Sequence, residues 1–381
     1  MTEDWIIASS EGPNGPNQSE SVIFFRRENE SWVRHSKITS NIPDVGFGFG
    51  VAIEGNTAVV GSIIDFDPAD RPTGVAYIYE FNEATDAWEL TQSLSPTELD
   101  IDDFFGNHIY IQGDVLAISA RQDRDNGFNS GAVYVFEKNQ DVWTLEDKIV
   151  PDDSSSEDVI GYRVNGDGDR IILSGFGADN QTGSTYIYQR QSTEWILETR
   201  LIASDLEEGD WFGSSVAIDG NRAIVGARQR NQLAGEVFVF ENNSDNGIWT
   251  QTMEFDPPEG VVEGRFGAGL DYQNGRLVIG APWTNNLQGA AFAFEFETVS
   301  VREQNIESLF LYPNPSQDFI HLNLKDNQIK TVELFDMLGA KVATYNYTGD
   351  PLDIRQLSAG TYVVKSNKDN TTIEIGKFVK L

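Results

Sequence analysis

The chain has 381 residues, 60 acidic against 27 basic, for a formal charge of −33. That length predicts two domains rather than one, and 39% hydrophobic with 11% aromatic residues excludes global disorder. The acidity excludes nucleic acid or an anionic membrane surface as the default partner, because phosphate binding needs a basic patch. With no cysteine there is no disulfide, no zinc–thiolate site and no cysteine nucleophile, and His35, His108 and His321 leave little room for a multi-histidine metal site. No apolar run reaches the about 18 residues of a spanning helix. The start, Met1-Thr2-Glu3-Asp4, lacks the basic residues and apolar stretch of an export signal.

The charge is unevenly placed. From Leu309 onward there are eight basic and eight acidic residues, so the first 308 residues hold the other 19 basic and 52 acidic ones, and with them the whole −33. A shift that sharp marks a domain boundary. Residues 298–308 are polar and lack strand alternation. They read as a linker between a domain over 1–297 and a smaller one over 309–381.

The first domain repeats. Its clearest copy runs Phe212-Gly213, then Val216-Ala217-Ile218-Asp219-Gly220-Asn221, then Ala223 to Gly226-Ala227, then Gly235 to Glu241, then Trp249. The same order starts at Phe47-Gly48, Phe105-Gly106, Ile160-Gly161 and Phe266-Gly267, at spacings of 52 to 58 residues. A partial copy at the amino end has Trp5, Val22 to Phe25, and Trp32. The copy from Phe266 stops at Glu295, before any tryptophan.

Each copy predicts four short strands. The first ends in a hairpin turn such as Asp219-Gly220-Asn221, where Gly and Asn supply positive φ. The second is an apolar run such as Ala58-Val59-Val60-Gly61, expected where both faces are buried. The third starts at a glycine (Gly74, Gly131, Gly183, Gly235, Gly289), and the fourth carries a tryptophan (Trp32, Trp88, Trp143, Trp195, Trp249) and alternates like an outer strand. Small sheets buried on both faces must stack on one another. The expected fold is all-β: a β-propeller of about six four-stranded blades, seven with a further copy upstream, its ring closed. The copies supply 22 strands against the 24 of a closed six-bladed ring. The chain therefore reads as truncated at its amino end, lacking a strand and an export signal.

The Phe-Gly start, the Gly-Ala pair and the Gly-x-Val-Tyr-Val-Phe strand resemble FG-GAP repeats, the units of integrin-α-like propellers, over Trp5 to Phe296. The copies depart from that pattern at Ile160-Gly161-Tyr162 and at Ile118-Ser119-Ala120.

The second domain opens at Tyr312-Pro313-Asn314-Pro315, where proline fixes φ and removes donors. Strands are expected at Phe319–Leu324, Thr331–Phe335 and Lys341–Tyr347. A turn at Met337-Leu338-Gly339, the run Leu357-Ser-Ala-Gly360-Thr-Tyr362 and the end Gly376-Lys377-Phe-Val-Lys380-Leu381 complete a small β-sandwich. This order resembles the carboxy-terminal sorting domain of proteins exported by the type IX secretion system of Bacteroidota. The resemblance implies the type IX secretion machinery as a partner and a secreted or outer-surface destination. It assigns the sorting signal to Tyr312, Pro313, Asn314, Pro315, Gly339, Gly360, Tyr362, Lys377 and Lys380.

Chemistry is sparse. The five in-register tryptophans read as blade packing. Trp211 and Trp283 lie outside that register, and an aromatic face on a loop can stack on a sugar ring. The loops between second and third strands lengthen and turn acidic at Asp65-Phe-Asp67-Pro-Ala-Asp70 and Asp123-Arg-Asp125-Asn126-Gly127. Alternating carboxylates of this kind suit Ca²⁺, which takes six to eight oxygens, and integrin-like propellers carry calcium in blade loops; a plain acidic turn is the other reading. Neither loop has the full EF-hand pattern. No nucleophile–base set, P-loop or zinc-protease motif is present. The expectation is a non-enzymatic exported propeller that binds an extracellular glycan or protein through its loop face. Its rivals are a polysaccharide hydrolase or lyase with carboxylates in the channel, and a structural surface-layer component.

Overall fold

The computed structural model describes residues 4–10, 20–40, 46–243, 246–259, 261–296, 307–323, 331–335, 341–368 and 371–381. The chain divides into two compact units, Met1–Glu297 and Thr298–Leu381. No helix among the described residues is long and apolar enough to cross a membrane.

Among the described residues the first unit holds six antiparallel sheets with strands in sequence order. Sheet 1 is β1 (Trp5–Ser10), β2 (Ser21–Glu28) and β3 (Ser31–Thr39). Sheet 2 is β4 (Phe47–Glu54), β5 (Thr57–Ser62), β6 (Val75–Asn82) and β7 (Ala87–Leu94). Sheet 3 is β8 (Phe105–Gln112), β9 (Val115–Ala120), β10 (Ala132–Asn139) and β11 (Val142–Ile149). Sheet 4 is β12 (Arg163–Asp167), β13 (Arg170–Gly175), β14 (Ser184–Gln191) and β15 (Glu194–Leu201). Sheet 5 is β16 (Phe212–Asp219), β17 (Arg222–Ala227), β18 (Glu236–Asn243) and β19 (Ile248–Phe255). Sheet 6 is β20 (Gly269–Gln273), β21 (Arg276–Ala281) and β22 (Ala290–Glu295).

These sheets are propeller blades. The first strands of neighbouring sheets, β4, β8, β12, β16 and β20, pack against one another in turn. Residues from all five line one cavity, which is the axis. Each second strand lies one step out, and β5, β9, β13 and β17 are buried along nearly their whole length, as their unbroken apolar runs require. The fourth strands are outermost and, rather than alternating, β7, β11 and β15 are buried only at the second and last positions, such as Trp143 and Ile149. On them Trp88, Trp143, Trp195 and Trp249 are buried, whereas Trp32 in sheet 1 is 39% exposed.

Two repeating contacts join blade to blade. On the side of the first strand's start, the backbone N–H of the Phe-Gly residue donates to the residue preceding the third-strand glycine of the previous blade: Phe105 to Thr73, Ile160 to Ser130, Phe212 to Thr182 and Phe266 to Ala234, at 2.8 to 3.1 Å. The chains approach so closely that a Cβ on Gly74, Gly131, Gly183 or Gly235 would lie 2.0 to 2.3 Å from the carbonyl oxygen of the next blade's Phe105, Ile160, Phe212 or Phe266. At the far end, the last side chain of each first strand accepts a backbone N–H from the next hairpin turn. Glu54 takes Gly113, Gln112 takes Gly168, Asp167 takes Gly220 and Asp219 takes Asn274, at 2.5 to 2.8 Å.

Ring closure departs from the sequence expectation. Among the described residues no extensive contact joins sheet 6 to sheet 1. Strands β21 and β22 alternate instead of being buried throughout, and Val278 is 46% exposed. Sheet 5 covers one face of sheet 6, and among the described residues its other face has no covering blade. Among the described residues the two end sheets have three strands each and the four between them have four.

In the second unit, β23 (Glu307–Ser308), β30 (Thr371–Lys380), β29 (Gly360–Lys368), β26 (Thr331–Phe335) and β27 (Lys341–Asn346) form one sheet. A smaller one holds β24 (Phe310–Tyr312), β25 (Phe319–Asn323) and β28 (Leu352–Asp353). Ile320, Leu322, Val332, Leu334, Ile354, Val364 and Phe378 make their common core. Asn314 accepts from the N–H of Val379 and donates to the carbonyl of Lys377, both at 2.9 Å, and so holds the last strand. Tyr362 is buried, with its hydroxyl donating to the Ser358 carbonyl. Gly360 pairs with Lys380, and Lys377 is exposed opposite Val363. Tyr312 stacks on His321, and the Tyr312-Pro313 and Asn314-Pro315 bonds are cis. Gly339 lies outside the described residues.

The blade-to-blade approach predicts a sharp contrast between two glycines of positive φ. Gly235→Ala puts a methyl group 2.0 Å from the Phe266 oxygen and should cost about 3 kcal/mol or more in denaturant unfolding. Gly220→Ala faces open space and should cost only about 1 kcal/mol, the backbone penalty alone.

Candidate functional site

The axis has two chemically different ends. At the hairpin end a cavity of about 430 Å³ is lined by Glu54, Asp167, Asp219 and Asp271 with Tyr110 and Tyr272. Three of those carboxylates, Glu54, Asp167 and Asp219, are the acceptors of the hairpin latches described above. They bridge blades.

The opposite end carries the loops between second and third strands and the segments that enter each first strand. An aspartate two residues before the Phe-Gly position closes three of those entries. Asp103, Asp158 and Asp210 each accept the backbone N–H three residues upstream, from Asp100, Ser155 and Glu207, at 2.7 to 2.8 Å. The residue between that aspartate and the Phe-Gly start is left-handed in every copy: Gly46, Phe104, Val159, Trp211 and Arg265 have φ of 69°, 60°, 57°, 58° and 54°. Only Gly46 adopts this without strain. A non-glycine residue there costs roughly 1–2 kcal/mol, more for β-branched Val159.

Several of these strained side chains meet aromatic rings and arginines at the loop rim. Tyr162 packs edge-on to Phe176 with centroids 4.6 Å apart, and Phe176 packs on Trp211 at 4.5 Å. The Arg163 guanidinium lies 4.3 Å from the Tyr162 ring, and that of Arg228 lies 4.6 Å from Trp211. Arg265 covers Trp283 at 3.8 Å, and Arg121 sits 5.7 Å from Phe49 and 5.6 Å from Phe104. Trp283 is 49% exposed and Phe49 53%. None of Arg121, Arg163, Arg228 and Arg265 has a carboxylate partner among the described residues, whereas Arg170, Arg190, Arg200, Arg222 and Arg230 each do. The Nε–H groups of Arg121, Arg228 and Arg265 are buried without an acceptor. Burial pushes the Arg121 and Arg228 guanidinium groups below their ordinary value; at Arg228 the Tyr162 hydroxyl, its hydrogen-bond partner, opposes this, while nearby Arg265 and Arg163 add to it.

Trp211 and Trp283 thus lie at this rim, in different settings. Trp211 is sandwiched between Phe176 and Arg228, while Trp283 is half-exposed beside Arg265. The arginines, Phe49, Tyr162 and Phe176 escaped the sequence reading. Their signal was positional: Phe49 and Tyr162 stand two residues after a repeat start, where other copies carry Asn107, Ser214 and Ala268, and Arg121, Phe176 and Arg228 each follow a second strand, where other copies carry Ile63 and Pro282.

The two acidic loops correct the calcium expectation. Asp65 accepts from the Tyr77 hydroxyl at 2.7 Å and from the N–H of Phe66. Asp67 accepts the N–H groups of Ala69 and Arg71 and pairs with the Arg71 guanidinium at 2.7 Å. Asp70 is exposed and left-handed. In the second loop, buried Asp123 meets Lys148 at 2.8 Å and the Tyr134 hydroxyl at 3.1 Å, and Asp125 shares the same ammonium. Each loop's negative charge faces the protein's own cation. Among the described residues no three His, Asp or Glu side chains gather as metal ligands. The donor set does not fit Ca²⁺.

His108 is half-buried, and its ring nitrogen Nδ1 accepts from the N–H of Val164. Desolvation and Arg163 depress it to about 3, so it stays neutral.

The sequence profile of the FG-GAP repeat matches residues 32–79, 88–136, 143–188 and 195–240. Each match begins at the tryptophan of one blade's outer strand and ends in the third strand of the next. The family's unit is therefore offset from the blade by one strand. The profile of the secretion system C-terminal sorting domain matches residues 310–380. Comparison with curated proteins gave no match.

Two expectations follow. Lys148→Met strands buried Asp123 and should cost about 3 kcal/mol, while EDTA leaves the melting temperature of the wild type unchanged. Burial, reinforced by Asp123, raises Asp103 from 3.8 to about 6. The folded state then binds more protons than the unfolded one between those values, so this contribution to stability falls as pH rises through that window. Asp103→Asn should flatten that slope in pH-dependent unfolding.

Blades joined through Phe-Gly starts and a sandwich whose last strand is held by the Tyr-Pro-Asn-Pro segment identify the chain as an FG-GAP repeat propeller that ends in a sorting domain for type IX secretion to the cell surface or extracellular space.

Proposed function

We propose that the chain is a non-enzymatic binding module that takes an extracellular glycan through the loop end of its propeller. One observation carries this reading: the axis is chemically divided. At the hairpin end, Glu54, Asp167 and Asp219 are committed as acceptors between blades, and moving them into acid–base roles would release those joints. At the loop end, half-exposed Trp283 and Phe49 project from rigid blades. Such faces suit the C–H side of a pyranose ring. Loops carried on a stiff scaffold are a common place for recognition. The sorting domain delivers this surface to where extracellular polymers are.

The test pairs binding with turnover on one panel of polysaccharides. Bound polymer without release of reducing or unsaturated ends is the expected result, and Trp283→Ala should weaken binding severalfold. Sustained turnover that disappears in Asp167→Ala or Asp219→Ala would assign the chain to the hydrolases or lyases instead.

A further inference from the structure

We propose that the loop rim selects acidic polysaccharides, sugars bearing carboxylate or sulfate groups, through Arg121, Arg228 and Arg265. This rests on the binding role proposed above and adds the ligand's charge.

A surplus of acid makes unpaired cations improbable. With 60 carboxylates for 27 basic residues, a buried or half-buried arginine has many possible partners. Arg190 takes Glu137 and Glu146, and Arg230 takes Asp210 and Glu236. The rim arginines take none among the described residues, and three of them bury an Nε–H with no acceptor, as paired Arg200 also does. An unsatisfied buried donor is costly to fold around. So is the mutual repulsion of Arg163, Arg228 and Arg265, which contributes to depressing Arg228. Arg265 adds a left-handed backbone at φ 54°. Stability alone selects against all three features, and a bound anion reverses the first two.

The flanking groups narrow the anion. Each arginine lies against a ring: Arg121 beside Phe49, Arg228 on Trp211, Arg265 on Trp283. A guanidinium fork matches carboxylate or sulfate oxygens bidentately, and the exposed rings of Phe49 beside Arg121 and Trp283 beside Arg265 take the apolar face of a sugar. A small inorganic anion uses only the first of these. An acidic protein would bring a second large negative body against the field of the whole chain, whereas a flexible polymer needs to bring only a few charged sugars to the rim.

The experiment measures binding of the full chain to polygalacturonate, a sulfated galactan, a neutral β-glucan and single-stranded DNA, each at low and high salt. Carboxylated or sulfated polymer, or both, should bind at least tenfold tighter than the glucan and weaken with salt; the two acidic arms identify which group is read. Arg228→Met and Arg265→Gly should each lose tenfold or more in affinity while melting at or above the wild-type temperature, because they remove repulsion or backbone strain. Loss of binding together with a lowered melting temperature would make the arginines structural and overturn the assignment. Tight binding of the neutral glucan, indifferent to both substitutions, would overturn the anionic assignment and leave the binding module intact. Equal affinity for DNA would reduce the rim to a generic polyanion contact, and no binding to any acidic polymer would also overturn the proposal.

Discussion

Everything in the first unit depends on one close approach. The backbone of each Phe-Gly start lies against the glycine that opens the third strand of the blade before it, with no room for a Cβ. A four-stranded sheet of 27 to 30 strand residues cannot bury two faces alone, so its stability comes from its neighbours. The glycine contact sets how tightly those neighbours meet at the loop end. The hairpin latches from Glu54, Gln112, Asp167 and Asp219 do the same at the other end. Where the small residue of the second strand becomes serine, the hydroxyl is used: Ser174 donates to the Gly213 carbonyl of the next blade at 2.7 Å, and Ser119 accepts from the N–H of His108.

The acidity takes on a different meaning once partners are known. Many of the surplus carboxylates are acceptors for backbone N–H groups at turns and blade joints, a role that lysine or arginine cannot fill. Asp103, Asp158 and Asp210 lock the entries to three first strands, and Asp65 and Asp123 anchor tyrosine hydroxyls inside long loops. At these positions negative charge is hydrogen-bonding capacity. Against that background the four rim arginines stand apart, because among the described residues they have no carboxylate partner and lie against aromatic rings.

Legibility followed the length scale of each interaction. Strand positions and the tryptophan register could be read because alternation and turn glycines are local properties of consecutive residues. The Asp65 and Asp123 loops misled because a run of carboxylates looks the same whether it faces a cation from solution or Arg71 and Lys148 of the chain itself. Lys148 is 25 residues beyond Asp123 and reaches it only through the pairing of β10 with β11. The rim was invisible for the same reason: Arg228, Tyr162 and Phe176 come from different strands and loops and carry no motif.

The sequence by itself determined the repeat, the strand content, the buried second strands and the sorting domain, because each is written in residue spacing along a single copy. Tertiary structure decided which carboxylates are joints and, among the described residues, which arginines lack a carboxylate partner and that sheet 6 leaves one face uncovered. Those outcomes depend on which side chains from separate copies arrive at the same place, and spacing within one copy carries no information about that.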